Sequence, residues 1–226
     1  RKWTPVQTTA GTCKEGAEEA IFRALALRHM ELPVGDFIND ALASDVPANA
    51  RDVLLSNVKD EENHDVALGY IANAYGVDEK AEKEAKRLRT AWEAHPDHTI
   101  TKALVAERAI FFVLLPFFRF NGDAGMRTVS ADISRDEQIH VAVNSLAHAE
   151  LGYNISPSLD KLRKATINWV MQPLGDHADK YLNKKFWLES SDRLMYEGKA
   201  PQLAETKAAR MPAFFEHSNV NLPQYA

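Results

Sequence analysis

The stretch Ile133-Ser134-Arg135-Asp136-Glu137-Gln138-Ile139-His140 sits inside a long segment of helical period, residues 124–151, that Gly152 closes. It contains a Glu-x-x-His unit. A second unit, Glu61-Glu62-Asn63-His64, sits inside another such segment, which starts near Pro47 and runs toward Tyr75. A separation of three puts carboxylate and imidazole on one helical face, about 5–6 Å apart at Cβ, close enough to share a metal. The pair is a mixed O/N donor set suited to iron or manganese. Random placement of 17 glutamates and 8 histidines gives about 0.6 such pairs. The count alone is therefore weak, and the surroundings decide.

Glu107 supplies the surroundings. It lies between Leu104 and Ile110/Phe111 at helical spacing, on a face too apolar for an unpaired carboxylate. A buried Glu without a cation would have to be neutralised, so a metal is the more natural partner. Glu107 and Glu137 are 30 residues apart, which in an antiparallel helix pair returns the chain to the same height after about 20 Å each way. The 46 residues from Glu61 to Glu107 leave room for one crossover helix, the charged segment 78–94. Two Glu-x-x-His helices, two further Glu-bearing helices and one long crossover make a ferritin-like di-metal bundle. The remaining ligand is expected from the first helix, which offers Glu15, Glu18 and Glu19. Glu18 lies closer to the stripe Ile21, Phe22, Leu25, and Glu19 lies toward the flank with Phe22 and Arg23.

The rest of the chain agrees with an all-α class. Among 226 residues, 45% are hydrophobic and 26% charged, and the helical period dominates with no row of alternating β-branched strands. Helices are expected over 13–32 (ending before Pro33), 35–43, 47–75, 78–94, 99–120, 124–151, 158–183, 185–196 and 201–209. Pro116 is expected to kink or widen its helix. The expected organisation is one domain over 1–226 with irregular ends at 1–12 and 211–226, and no internal repeat stands out. A net charge of −5 argues against a nucleic-acid-binding body. The longest apolar run, residues 109–118, is too short to span a bilayer. The single cysteine, Cys13, and a start without a signal-peptide pattern suit a reducing cytoplasm.

Residues 133–140 resemble the Arg-Asp-Glu-x-x-His signature of the radical-generating small subunit of class I ribonucleotide reductase. Glu107-Arg108-Ala109-Ile110-Phe111 is similar to that family's third ligand helix, and Glu19-Ala20-Ile21 to the pattern around its first ligand. Phe214-Phe215-Glu216 with Val220 and Tyr225 resembles the close of its folded part, and Trp3-Thr4-Pro5 the tryptophan stretch before its bundle. The chain is much shorter than usual members. The resemblance implies Glu19, Glu61, His64, Glu107, Glu137 and His140 as ligands of two metal ions. Asp136 would hydrogen-bond His64 and the pathway tryptophan, Trp3, and Tyr225 would be either the tail's relay tyrosine or the last folded tyrosine. It also implies activation by O2 or a reduced oxygen species, a homodimer, and a large subunit whose cysteine receives the oxidant for ribonucleotide reduction.

One departure is informative. The family's radical tyrosine stands four residues after the first histidine, where this chain has Leu68. Tyr70 is about 240° round the helix from His64 and should not face the metals. Oxidising power is then expected on the metals themselves, which makes Mn/Fe or Mn/Mn an alternative to Fe/Fe. Phe111, Phe112, Phe117, Phe118 and Phe120 read as core, the 78–89 stretch as a solvated face, and His29, His95 and His98 as incidental. A stand-alone di-metal oxygenase, of aldehyde-deformylating or hydrocarbon-oxidising type, is the competing function, and an iron-storage protein a third. An oxygenase would need an apolar tunnel to the metals, a reductase subunit a closed site.

Overall fold

A computed structural model describes residues 10–43 and 46–197. In chain order these form α1 (Glu18–Ala26), a 3₁₀ turn (Leu27–Met30), α2 (Glu31–Leu42), α3 (Ala48–Tyr75) and α4 (Glu79–Glu93). There follow α5 (Thr99–Ala106), a π turn (Glu107–Phe111), α6 (Phe112–Asn121), α7 (Ala124–Leu151), α8 (Pro157–Met171), a 3₁₀ turn (Lys180–Leu182) and α9 (Lys184–Tyr196). Among the described residues there is no strand, only an isolated bridge between Cys13 and Gly122. Trp3, Tyr225, the Phe214–Glu216 segment and the helix expected over 201–209 lie outside the described residues.

Three local departures from the expected boundaries have simple causes. The helix expected over 13–32 is broken by the 3₁₀ turn, and a new helix begins at Glu31. Pro33 therefore falls in the first turn of α2, where its missing N–H is one no helix would use. It opens a helix instead of ending one. The helix expected over 158–183 stops at Met171, because Pro173 has no N–H to continue the ladder and its ring would clash with the carbonyl four residues back. Pro116 sits inside α6, and the backbone widens just upstream of it. There the Phe112 N–H reaches back to the Glu107 carbonyl, one residue further than an α-helix allows.

The four long elements form a bundle with α3 and α5–α6 parallel. Tyr75, at the end of α3, accepts the Asp123 N–H (3.0 Å) and donates to the Thr12 carbonyl, and Lys14 N–H donates to the Asn121 carbonyl (2.7 Å). The ends of α3 and α6 thus meet the starts of α1 and α7. At the opposite end His98, before α5, stacks on Tyr153, just past α7, at 4.2 Å. The order is up, down, down, up, and α4 is the crossover that carries the chain back between the two hairpins. Arg28 and His29 of the 3₁₀ turn clamp Glu82 of α4 (2.5 Å each), so His29 ties the crossover to the bundle and is not incidental.

Helices α4, α8 and α9 cover the α1 and α5–α6 side. Trp92 of α4 is fully buried, with its indole N–H on Thr166 Oγ1 of α8 (3.1 Å). Trp187 of α9 meets Phe117 edge-on at 5.4 Å. Phe111, Phe112, Phe117 and Phe118 are core, as the sequence suggests, while Phe120 stacks on Tyr181 at 3.8 Å. Residues of α4 pair along the surface, Arg87 with Glu84 and Arg89 with Glu93.

The closed end of the bundle depends on Gly11. Its φ is +70°, and a Cβ there would stand 2.3 Å from the Ala74 carbonyl oxygen, while its N–H donates to Asp123 Oδ2 (2.9 Å). Gly11→Ala is expected to lower Tm by at least ~2–4 °C, the equivalent of about 1 kcal/mol in a chain of this size. Gly69→Ala is a matched control, since nothing lies within 4 Å of its Cβ position in the interior of α3. It should gain about 0.5–1 kcal/mol from helix propensity. Thermal melts of the two variants check both signs.

Candidate metal centre

At mid-height of the bundle each long element delivers a carboxylate to one level. Glu31 comes from the first residue of α2, Glu61 and His64 from α3, Glu107 from the π turn, and Glu137 and His140 from α7. All six are at most 2% exposed. They form two overlapping groups, Glu31/Glu61/His64/Glu137 and Glu61/Glu107/His140, in each of which one donor atom per residue lies within 4.8 Å of all the others. Glu61 belongs to both groups, and Glu137, like Glu61, faces both imidazoles. Glu61 Oε1 is 3.0 Å from His140 Nδ1 and its Oε2 3.4 Å from His64 Nδ1. Glu137 Oε1 is 3.3 Å from His64 Nδ1 and its Oε2 3.7 Å from His140 Nδ1. Glu31 lies on the His64 side (3.8 Å) and Glu107 on the His140 side (3.7 Å).

The imidazoles are aimed from behind. His64 Nε2 faces Asp136 Oδ2 at 3.4 Å, and His140 Nε2 faces Asp60 Oδ2 at 3.3 Å. A carboxylate can only accept, so each Nε2 carries a proton, and each Nδ1 faces the cage as the nitrogen that a metal would take in place of its own proton. Each aspartate immediately precedes the Glu of one unit and holds the histidine of the other, which ties α3 to α7. Asn144, one turn beyond His140, donates to Glu107 Oε2 and leaves Oε1 turned inward.

The four carboxyl groups of the cage outnumber its two imidazoles. Oxygens of Glu31, Glu61, Glu107 and Glu137 are buried with no hydrogen-bond partner, an expensive state for a carboxylate. Burial drives the Glu31 and Glu107 carboxyls well above their usual range and raises Glu137, with neighbouring carboxylates adding to the shift. Burial also pushes Glu61 up, but the two imidazoles beside it outweigh that and hold it near 2. Burial lowers both histidines, yet the surrounding carboxylates raise His64 well above its ordinary value and His140 to about 11. Orphaned inward oxygens, inward-facing Nδ1 atoms and a mixed O/N donor set fit a metal ion, and the cluster could hold one.

The structure brings together five of the six expected ligands and replaces the sixth. Glu19 is not in the site: its side chain is 61% exposed and pairs with Arg23 at 2.5 Å. Glu18, the other candidate in that turn, accepts the Gly16 N–H and is likewise exposed. Glu31 takes the place, brought in because α2 starts afresh at that residue. A signal for it stood in the sequence. Each cage residue of the second half follows its counterpart by 76 positions: Glu31 and Glu107, Glu61 and Glu137, His64 and His140. Asp60 and Asp136 obey the same offset. Leu68, in register with Asn144, is buried, and Tyr70 is exposed. No family model, no curated protein and no solved structure matches the chain.

Metal-free stability should depend on pH in a definite direction. The raised carboxyls of Glu31, Glu107 and Glu137 keep protons that the unfolded chain sheds near 4.5, so their contribution is lost as pH rises past that value. The raised histidines add a loss beginning near 6.5 and extending, for His140, to about 11. Glu61 acts oppositely, but only between about 4.5 and 2. In chelator, Tm should be higher at about pH 5.5 than at about pH 8, and the rise in Tm on adding Mn(II) should be larger at the higher pH. Glu137→Gln removes a carboxyl whose ionisation burial opposes. It should raise the metal-free Tm by a few degrees, at about 2–4 °C per kcal/mol, and abolish the rise on adding Mn(II).

Proposed function

We propose that the chain is the radical-generating small subunit of a class I ribonucleotide reductase, a ferritin-like di-metal protein that stores its oxidant on the metals. The enclosure of the centre supports this most directly. All six donors are at most 2% exposed, and the two surface hollows that stand out run along α4, lined by residues such as Lys83 and Lys86, away from the cage. An enclosed oxidant must pass its oxidising equivalent through the protein to a distant partner.

Two redox-active cations, Fe/Fe, Mn/Fe or Mn/Mn, would supply that oxidant on reaction with O2 or a reduced oxygen species. Glu61 and Glu137, each facing both imidazoles, are suited to bridge, and Glu31 and Glu107 to close the two outer sides. Asp60 and Asp136 hold the imidazoles in the tautomer that keeps Nδ1 for the metal. Asp136 also reaches from His64 toward the surface, with its side chain 15% exposed, which suits it to begin the route through Trp3 and Tyr225 to a cysteine of the large subunit. Storage on the metals agrees with where the described phenols lie. Tyr75 and Tyr153 are engaged at the two bundle ends, Tyr181 stacks on Phe120, Tyr196 meets Asp160, and Tyr70 points to solvent. The exposed apolar side chains of α3 and α7, among them Val66, Tyr70, Ile139 and Leu146, offer a surface for a second copy.

The test combines metal-loaded chain, a class I large subunit, ribonucleotide and O2. Deoxynucleotide formation that requires this chain is the expected result. O2 consumption coupled to oxidation of a fatty aldehyde or hydrocarbon, with no deoxynucleotide, would point instead to the stand-alone oxygenase. Asp136→Asn should cut deoxynucleotide formation by about 10–100-fold, and the same loss at unchanged metal content would mark it as part of the transfer route.

A further inference from the structure

The π turn that carries Glu107 is gripped from outside the bundle. Ser191 of α9 donates its hydroxyl to the Ala109 carbonyl inside that turn (2.7 Å), and Arg108 Nε donates to the Leu194 carbonyl of α9 (2.7 Å). Arg163 of α8, 1% exposed, donates to Ser191 Oγ (2.6 Å) and is itself held by Asp160 and Asp192, each at 2.7 Å. A buried arginine with two carboxylates is a costly construction to keep for packing alone.

The chemistry of the hydroxyl shows what it does. A serine within a helix ordinarily donates to the carbonyl four residues back, as Ser190 does to Phe186 (2.7 Å). Ser191, its neighbour, instead donates across to another element. Arg163 can only donate, so it occupies a lone pair of Ser191 and turns the single hydroxyl hydrogen toward Ala109. A wide turn is less regular than an α-helical one, and its carbonyls are open to outside donors. The counterpart ligand, Glu31, stands at the first residue of α2 and has no such turn around it.

We infer that Ser191, oriented by Arg163, is a positioning residue for Glu107: its bond to Ala109 holds the wide turn in the shape that brings this carboxylate to the His140 side of the cage. The inference rests on the reading of the cage as a centre for two cations. It assigns α8 and α9 a part in metal assembly beyond covering the core.

A Mn(II) titration of the metal-free protein, followed by calorimetry and electron paramagnetic resonance, tests it. Wild type is expected to take up two ions per chain and show a coupled-pair spectrum. Ser191→Ala should bind one ion as wild type and the other at least about tenfold more weakly, with the coupled spectrum lost at a ratio of two, while Ser190→Ala behaves as wild type. Both ions bound normally by Ser191→Ala, or both weakened equally, would overturn the inference and leave the metal centre standing. No ion bound by wild type would overturn the centre itself. If Ser191→Ala does not fold by circular dichroism, Arg163→Gln, which frees the hydroxyl to rotate, should weaken one ion only, and unchanged binding of both would refute the proposal.

Discussion

Four carboxylates meeting in a dry interior repel one another and lack the water that would stabilise them. The effective penalty for burying each charge is several kcal/mol, so four ionised together would cost about as much as a whole domain's net stability of 5–15 kcal/mol. Two imidazoles offset part of this, which is why Glu61 stays low while Glu31, Glu107 and Glu137 rise. The rest of the bundle can be understood as the apparatus that forces these groups to one level. Cations between them would turn the same repulsion into binding free energy.

The apparatus has two nearly equivalent halves. Each is a helix pair with a lone Glu on its first arm and Asp-Glu-x-x-His on its second, and each aspartate reaches over to the other half's histidine. The halves differ where their chemistry can differ. Glu107 lies in a π turn and is held by Asn144, whereas Glu31 opens an ordinary helix and the position matching Asn144 is Leu68. The two sides of the cage therefore present carboxylates held with different firmness, which would give unequal affinities if each side took a cation.

Much of this was legible in the sequence. The two Glu-x-x-His units fixed the facing helices, because helical period alone determines which side chains share a face. Glu107 stood out as a carboxylate among Leu104, Ile110 and Phe111. The charged crossover was visible from composition and from the distance between Glu61 and Glu107. Glu31 was not seen, since Pro33 reads equally as a stop or as a first-turn residue. Only packing, here the 3₁₀ turn held by Glu82, decides between them. Asp60 and Asn144 look like surface polar residues until α3 and α7 are placed side by side. The tie from Ser191 to Ala109 joins residues 82 apart, and no local pattern announces it.

Crystals grown with Mn(II) and measured for anomalous scattering offer the most direct test of the central claim, that these carboxylates exist to hold cations. Two anomalous peaks are expected per chain. One should lie among Glu31, Glu61, His64 and Glu137, the other among Glu61, Glu107, Glu137 and His140. A map with no peak in the cage, and with Glu31, Glu107 and Glu137 hydrogen-bonded as neutral acids, would contradict it.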